Sequence, residues 1–369
     1  MIYLDNAATT FIKPPSVYRA VQKAMLCASN PGRGSHQSAL KAAGIVYDCR
    51  EAAADLFHMD DPSRVVFTYN ATHALNLAIR SIVQPGSRVL VSGFEHNAVI
   101  RSLYALQADV LVAGTKLFDP ASILDDFRNK IESVDSVVCT HVSNVFGFEL
   151  PINGIASLCQ EKSVPLIIDA SQSAGVLDIN MEKLGAAFIA MPGHKALFGP
   201  QGTGMLLCGR TGEPLLFGGT GSDSLNRKMP DALPERLEAG TMNVPGIAGL
   251  LAGIRYVRDI GTEQIHTREQ KLMEALIDSM SKIHGLHLYF DPAEFQGGIL
   301  SFTADRLDSE SVSDYLSQKG IAVRGGLHCA PLAHQSAGTL DGGTVRISLS
   351  PFVAPEQLKT ACRIIRDLL

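Results

Sequence analysis

Apolar and polar positions follow two periods along the chain, and the switching between them predicts the order of its elements. The stretches SVYRAVQKAM and SALKAAGIVYDCREAAADLF repeat apolar residues at three- and four-residue spacing, which predicts two helices. Strand and helix patterns then take turns. RVVFTY, SRVLVSG, ADVLVAG, DSVVCTHVS and VPLIIDAS read as strands, and THALNLAIRSIV, NAVIRSLYALQ, ASILDDFRNKI and NGIASLCQEK read as the helices between them. Short apolar runs bounded by turn residues and separated by helices predict an α/β fold with a mostly parallel sheet covered on both faces. After Pro245 the order changes. Two successive helices, GIAGLLAGIRYVRDI and TEQIHTREQKLMEALIDSMSKI, precede strands LHLYF and GGILSFTA, a helix near 308–319, strands IAVRG and TVRISLS, and a last helix. The expected division is a large domain over 15–245 and a smaller α+β domain made of 1–14 and 246–369.

Composition narrows the function classes. The 369 residues are 46% hydrophobic and 19% charged, which fits a soluble globular enzyme with a substantial core. A net charge of −5 leaves no basic footprint for nucleic acid. No apolar run approaches the ~20 residues that cross a bilayer, and MIYLDNAATT lacks a basic segment followed by an apolar one, so neither membrane nor secretion is expected. The seven cysteines are scattered, with no C-x-x-C pair, so neither a metal site nor a disulfide framework is expected and a reducing cytoplasm fits.

Candidate chemistry centres on Lys195 in AAFIAMPGHKALFGPQGTGMLL, a lone lysine between two apolar runs. In α/β sheets ligands gather beyond the carboxyl ends of the strands. Residues following the predicted strands there include His96, Asn144, Asp169 and Gln172, and Asn70–Thr72 open a helix whose free N–H groups suit a phosphate. Each has a bland reading: a solvated lysine, a turn-forming aspartate, an ordinary helix cap. Together they match the needs of pyridoxal 5′-phosphate: a lysine for its imine, a carboxylate for its pyridine nitrogen, an anion site for its phosphate and a flat group, His96, for its ring.

The motifs YLDNAATT, NPGRGSH, NATHALN, FEHNAVI, HVSNVFG, IIDASQSAG, PGHKALFGPQGTG, LEAGTMNVPGIAGL, VRGGLHCAPLAH and VRISLS, in this order, resemble the class V aminotransferase family of fold-type I pyridoxal-phosphate enzymes. More closely they are similar to the group II cysteine desulfurases and selenocysteine lyases. The resemblance implies an aspartate aminotransferase-like fold with a large sheet of seven-stranded type. Lys195 would carry the coenzyme, Asp169 pair its pyridine nitrogen and His96 stack on its ring. Gln172 and Asn144 would lie near its phenolic oxygen, and Ala71, Thr72 and His194 would hold its phosphate. Thr241 would reach the phosphate of a second subunit's coenzyme, which implies a homodimer.

The resemblance also implies that Arg346 binds the substrate α-carboxylate, that Asn144 and Arg324 contact the substrate as well, and that Cys329 accepts sulfur from L-cysteine, leaving alanine and a persulfide for an acceptor protein or a small reductant. Arg324 and His328 are expected to act as positive neighbours of the Cys329 thiol, in a loop that reads as mobile. Arg33 and His36 fit an ordinary polar loop on their residue types, whereas the resemblance places this stretch at the substrate entrance, His36 facing substrate. Three positions depart from the family pattern: Pro192 in place of a phosphate-binding serine, His73 in place of a glutamate, and Leu327 in place of a second histidine. Two alternatives stay open at the level of sequence: selenocysteine or another class V substrate on the same coenzyme, and a non-enzymatic sulfur-carrier scaffold.

Overall fold

The computed structural model describes residues 1–32, 34–222, 224–291 and 296–369. Its strands are β1 (Ile2–Tyr3), β2 (Val65–Thr68), β3 (Arg88–Ser92), β4 (Asp109–Ala113), β5 (Ser136–Thr140), β6 (Leu166–Asp169), β7 (Phe188–Pro192), β8 (Gly204–Cys208), β9 (Leu286–Tyr289), β10 (Ile299–Ala304), β11 (Ile321–Ala322) and β12 (Val345–Ser348). Seven of them form one mixed sheet in the order β2-β8-β7-β6-β5-β3-β4. Only β8 runs against its neighbours, pairing antiparallel with both β2 and β7. Every residue of β2, β5, β6, β7 and β8 is buried, because helices cover both faces. That double burial is why these strands read as continuous apolar runs in the sequence.

The chain leaves β3 to pair β4 on one side, then returns to place β5 on the other. This reversal is a topological switch point, and a crevice opens beyond the carboxyl ends of the strands that flank it. His96, Asn144 and Lys195 follow strands β3, β5 and β7, Asp169 ends β6, and all four converge there.

A smaller C-terminal domain is built on the antiparallel sheet β12-β10-β9. Leu276, Leu300, Phe302, Leu316, Ile347 and Ile365 fill its core, and Leu4 joins them from near the start of the chain. β1 pairs in parallel with β11, an arrangement the apolar pattern alone does not predict. From β1 the chain crosses to the large sheet as an arm of residues 5–13. The helix Val244–Ile260 packs directly on the lysine loop: a Cβ at Gly253 would sit 2.1 Å from the Leu197 carbonyl oxygen. Gly175, at φ +94°, lets the turn after β6 approach the same loop, where a Cβ would lie 2.5 Å from the Ala196 oxygen.

One buried ion pair ties the helix Gln37–Leu56 to the segment before Thr241. Arg50 Nη2 lies 2.5 Å from Glu238 Oε2, with both side chains 8% exposed, and Glu238 Oε1 accepts from Phe67 N at 2.6 Å. Removing one partner strands the other charge out of water. Glu238→Ala is expected to cost about 3–5 kcal/mol of stability, read as a lower midpoint in urea unfolding. A midpoint within about 0.5 kcal/mol of wild type, the range of an ordinary surface substitution, would refute that account.

Candidate active site

The structure gathers eight of the sequence-predicted residues around one cavity of about 210 Å³: Ala71, Thr72, His96, Asn144, Asp169, Gln172, His194 and Lys195. Pro192 also lines it, so the wall there carries no hydroxyl. At one end stands the helix Ala71–Ile82, capped by Asn70, whose side chain accepts from His73 N at 2.9 Å. The N–H groups of Ala71 and Thr72 have no acceptor among the described residues, so this helix start presents two free donors and the positive end of its dipole. His73 turns away: its Nδ1 accepts from Tyr69 N at 3.3 Å and its ring stacks on Tyr69.

Asp169, at the end of β6, is 3% exposed and has no cation within ion-pair distance among the described residues. Its Oδ1 accepts from Ser171 N at 2.9 Å. A buried carboxylate that faces a cavity and has no ion-pair partner calls for a positively charged or hydrogen-donating ligand. His96 caps the helix Asn97–Ala105 through Nδ1, which accepts from Ala98 N at 3.0 Å, so its proton sits on Nε2. Burial lowers the His96 pKa, against the pull of Asp169, and the ring is neutral.

Lys195 sits in the tight loop after β7, closed by Phe198 N donating to the Lys195 carbonyl at 2.9 Å and Gly199 N donating to the Gly193 carbonyl at 2.8 Å. Burial pulls its amine down to about 8, partly opposed by Asp169. The amine reacts with an aldehyde only when neutral. If Lys195 carries the imine that the resemblance implies, the rate of coenzyme uptake by the apoprotein is expected to rise about tenfold per pH unit up to about 8 and then level off, followed as growth of the coenzyme's absorbance. A plateau reached only above pH 10 would contradict this. The same shift has a stability sign. Between about 8 and 10.5 the unfolded chain binds the proton that the folded chain releases, so this group's cost falls as pH rises through that window.

The arm of residues 5–13, which includes most of the YLDNAATT stretch expected to fold over the cofactor mouth, holds the lysine loop from the other side, and its Ala8 lines the cavity. The His194 carbonyl accepts from Thr10 N at 3.2 Å, Thr9 Oγ1 at 3.3 Å and Lys13 Nζ at 3.2 Å. The His194 ring meets Thr9 Oγ1 at 3.1 Å, and burial, with Lys195 and Lys13 nearby, lowers its pKa to about 4. Burial brings Lys13 down to about 8. Glu95, beside His96, is a residue that sequence reading missed. It is fully buried, accepts from Ser92 Oγ at 2.5 Å and Thr140 N at 2.8 Å, and burial raises its pKa to about 8.

Arg346 and Cys329 lie beyond this cavity's wall and are joined to it through Asn144. Arg346 Nη1 donates to the Asn144 carbonyl at 2.8 Å, while Asn144 Nδ2 donates to the His328 carbonyl at 2.8 Å. Gln172 Nε2 likewise donates to the Ala7 carbonyl at 3.1 Å, so both amides have one N–H engaged by protein. Cys329 is exposed, and its carbonyl accepts from Asn97 N at 2.7 Å, next to His96.

Two expectations about the cysteine loop need correction. The loop is pinned rather than loose, through Asn97 and Asn144. His328 is buried, with Nε2 3.0 Å from the Thr344 carbonyl, and burial beside Arg346 drives its pKa to about 2, so it brings no positive charge to the thiol. Leu327 is 39% exposed beside it. Of the other six cysteines five are buried and Cys27 is half-buried. Within the protomer Thr241, Arg324 and His36 are exposed and do not line the cavity; His36 instead caps the helix Gln37–Leu56. Arg33 lies outside the described residues.

The sequence and the fold match known proteins. The chain belongs to the class-V aminotransferase family, whose family model matches residues 2–360. Within that family it is cysteine desulfurase-like. It is 32% identical to a probable cysteine desulfurase of Methanothermobacter thermautotrophicus, covering all of this chain and 94% of that one. Against the cysteine desulfurase of Haloferax volcanii the identity is 28%, over 97% of this chain and 87% of the relative. The apo cysteine desulfurase of Thermococcus onnurineus superposes with a TM-score of 0.90 at 29% identity, covering all of this chain and 94% of that one. Fold and family together imply the pyridoxal-phosphate-binding class. No helix among the described residues is long and apolar enough to cross a membrane.

Proposed function

We propose that this protein is a pyridoxal-phosphate-dependent cysteine desulfurase that converts L-cysteine to L-alanine and takes the sulfur onto Cys329. The observation that carries this reading is the convergence of Lys195, the unpaired buried Asp169, neutral His96 and the free N–H groups of Ala71 and Thr72 on one cavity. The donor set fits the coenzyme. Asp169 would face its pyridine nitrogen, His96 its ring, and Ala71, Thr72 and His194 its phosphate, with Lys195 as the point of attachment. When bound, the coenzyme supplies an electron sink that weakens bonds around the substrate Cα and Cβ.

The protein's own groups do the rest. Arg346 receives the α-carboxylate, which fixes the substrate's orientation through a planar fork of N–H donors. Lys195 Nζ, with its proton affinity lowered to about 8, is suited to take and return a proton near neutral pH. Sulfur leaving the substrate is taken up by Cys329 Sγ: cysteine plus enzyme thiol gives alanine plus enzyme persulfide, with no outside oxidant. The exposed position of Cys329 suits onward delivery to an acceptor protein or a small reductant. Thr241, exposed and apart from the cavity of its own protomer, supports a homodimer in which it serves the neighbouring site.

The test is product analysis. Holoenzyme given L-cysteine and, separately, L-selenocysteine should yield alanine, with one sulfane sulfur per subunit in the first turnover of cysteine. A keto acid as the product from cysteine would replace this reading with transamination, and a protein that forms no coloured complex with the coenzyme would end it.

A further inference from the structure

The guanidinium of Arg346 already has a carboxylate partner inside the protein. Its Nη2 lies 2.7 Å from Asp5 Oδ1, its Nη1 donates to the Asn144 carbonyl at 2.8 Å, and its buried Nε has no acceptor among the described residues. The pair is unevenly buried, with the Arg346 side chain 3% exposed and that of Asp5 20%. Asp5 is the member that solvent, and a ligand, meets first.

The main chain around Asp5 is fixed. Asp5 bridges to Ser348, two residues along β12 from Arg346, and Ser348 also holds Ala7 N through Oγ at 2.8 Å and Asn6 Nδ2 through its carbonyl at 3.0 Å. Tyr3 Oη donates to the Asp5 carbonyl at 3.1 Å. With the backbone held on both sides, the carboxyl alone is left to turn about its side-chain bonds.

We propose that Asp5 is a resident competitor for the carboxylate seat on Arg346 and thereby sets which ligands enter. This rests on the reading of Arg346 given above. A buried arginine left unpaired is strongly unfavourable, so an internal carboxylate holds it while the site is empty. An incoming α-carboxylate replaces Asp5 and offers the same charge-assisted hydrogen bonds. A ligand with an amine and a thiol but no carboxylate has nothing to exchange for that pair and leaves it closed. The affinity of every carboxylate ligand is reduced by the fraction of molecules in which Asp5 holds the seat. Arg324 makes the exchange balance in charge. It hydrogen-bonds backbone to backbone with Arg346, is exposed with no ion pair among the described residues, and its charge acts on Arg346, so a second cation stands near the pair when a second carboxylate arrives.

The probe is 3-mercaptopropionate, which keeps the carboxylate and thiol of cysteine but lacks the amine that would bond to the coenzyme. Calorimetric titration of holoenzyme compares wild type, Asp5→Asn and Arg346→Gln, with Asp5→Ser as a second neutral variant should Asp5→Asn fold poorly. Removing the competitor is expected to tighten binding about tenfold. It should also lower KM for cysteine by a larger factor than it changes kcat, as a change in ground-state binding does. Arg346→Gln should abolish binding of the probe. Unchanged or weaker binding in both Asp5 variants, with binding lost in Arg346→Gln, overturns the competitor role and leaves the Arg346 reading standing. Undiminished binding in Arg346→Gln removes that reading and this inference with it.

Discussion

Lys195→Ala holoenzyme is expected to turn over L-cysteine at least about a thousandfold more slowly than wild type, the scale lost when a positioned proton-transfer group that is also the covalent anchor is removed. The expectation rests on position. Lys195 follows β7 in a loop closed by its own hydrogen bonds, backed by the Gly253 face of one helix and gripped through the His194 carbonyl by three donors from the arm. Among the described residues no other lysine lines the cavity. Lys13 reaches the neighbouring carbonyl, but its amine is engaged there. An added primary amine should restore part of the lost rate, since a small amine fits where the side chain was deleted. Borohydride reduction of wild-type holoenzyme should fix the coenzyme on the peptide containing Lys195. Attachment at any other residue, or wild-type turnover in Lys195→Ala, would remove the foundation of the proposed chemistry.

Cys329→Ala is the second large effect, and it separates sulfur transfer from coenzyme binding. Cys329 lies outside the wall of the coenzyme cavity, so the variant should keep the wild-type absorbance spectrum. Protein-bound sulfane sulfur should fall to background, and alanine formation from cysteine should drop on the order of a hundredfold, because the acceptor nucleophile is gone. The backbone supports a special position for this thiol. His328 and Cys329 occupy consecutive left-handed conformations, φ +50° and +57°, which side-chain-bearing residues adopt at a cost of about 1–3 kcal/mol each and which cluster at functional sites. The surrounding bonds to Asn97 and Asn144 hold that conformation. Alanine formation at the wild-type rate in Cys329→Ala would refute the role, and so would sulfane sulfur mapped to a different cysteine.

Much of this site is legible in the sequence because α/β topology carries it. A residue that follows a buried parallel strand is delivered to one edge of the sheet, so finding the strands by their apolar runs was enough to find His96, Asn144, Asp169 and Lys195. The cap at Asn70 is legible for a local reason: its side chain satisfies an N–H three residues away. Histidine caps at His36 and His96 are less readable, because histidine is not a favoured cap and its ring suggests chemistry first.

The arm of residues 5–13 is the converse case. It has no periodicity, and Asp5 and Lys13 find their partners 341 and 181 positions away. The charge state of the cysteine loop was misread for the same reason. Next to a thiol in sequence, His328 counts as a cation; in the fold it is buried against Thr344 and Arg346 and carries none.

Local periodicity and strand order therefore determined which residues reach the crevice, since both depend on neighbours close in the chain. Tertiary structure alone decided what each of them meets there: that Asp169 is buried without an ion-pair partner among the described residues, that Arg346 is held by Asp5, and that burial brings Lys195 to about 8. Desolvation and ion pairing depend on which distant segments close over a group, and no pattern along the sequence records that.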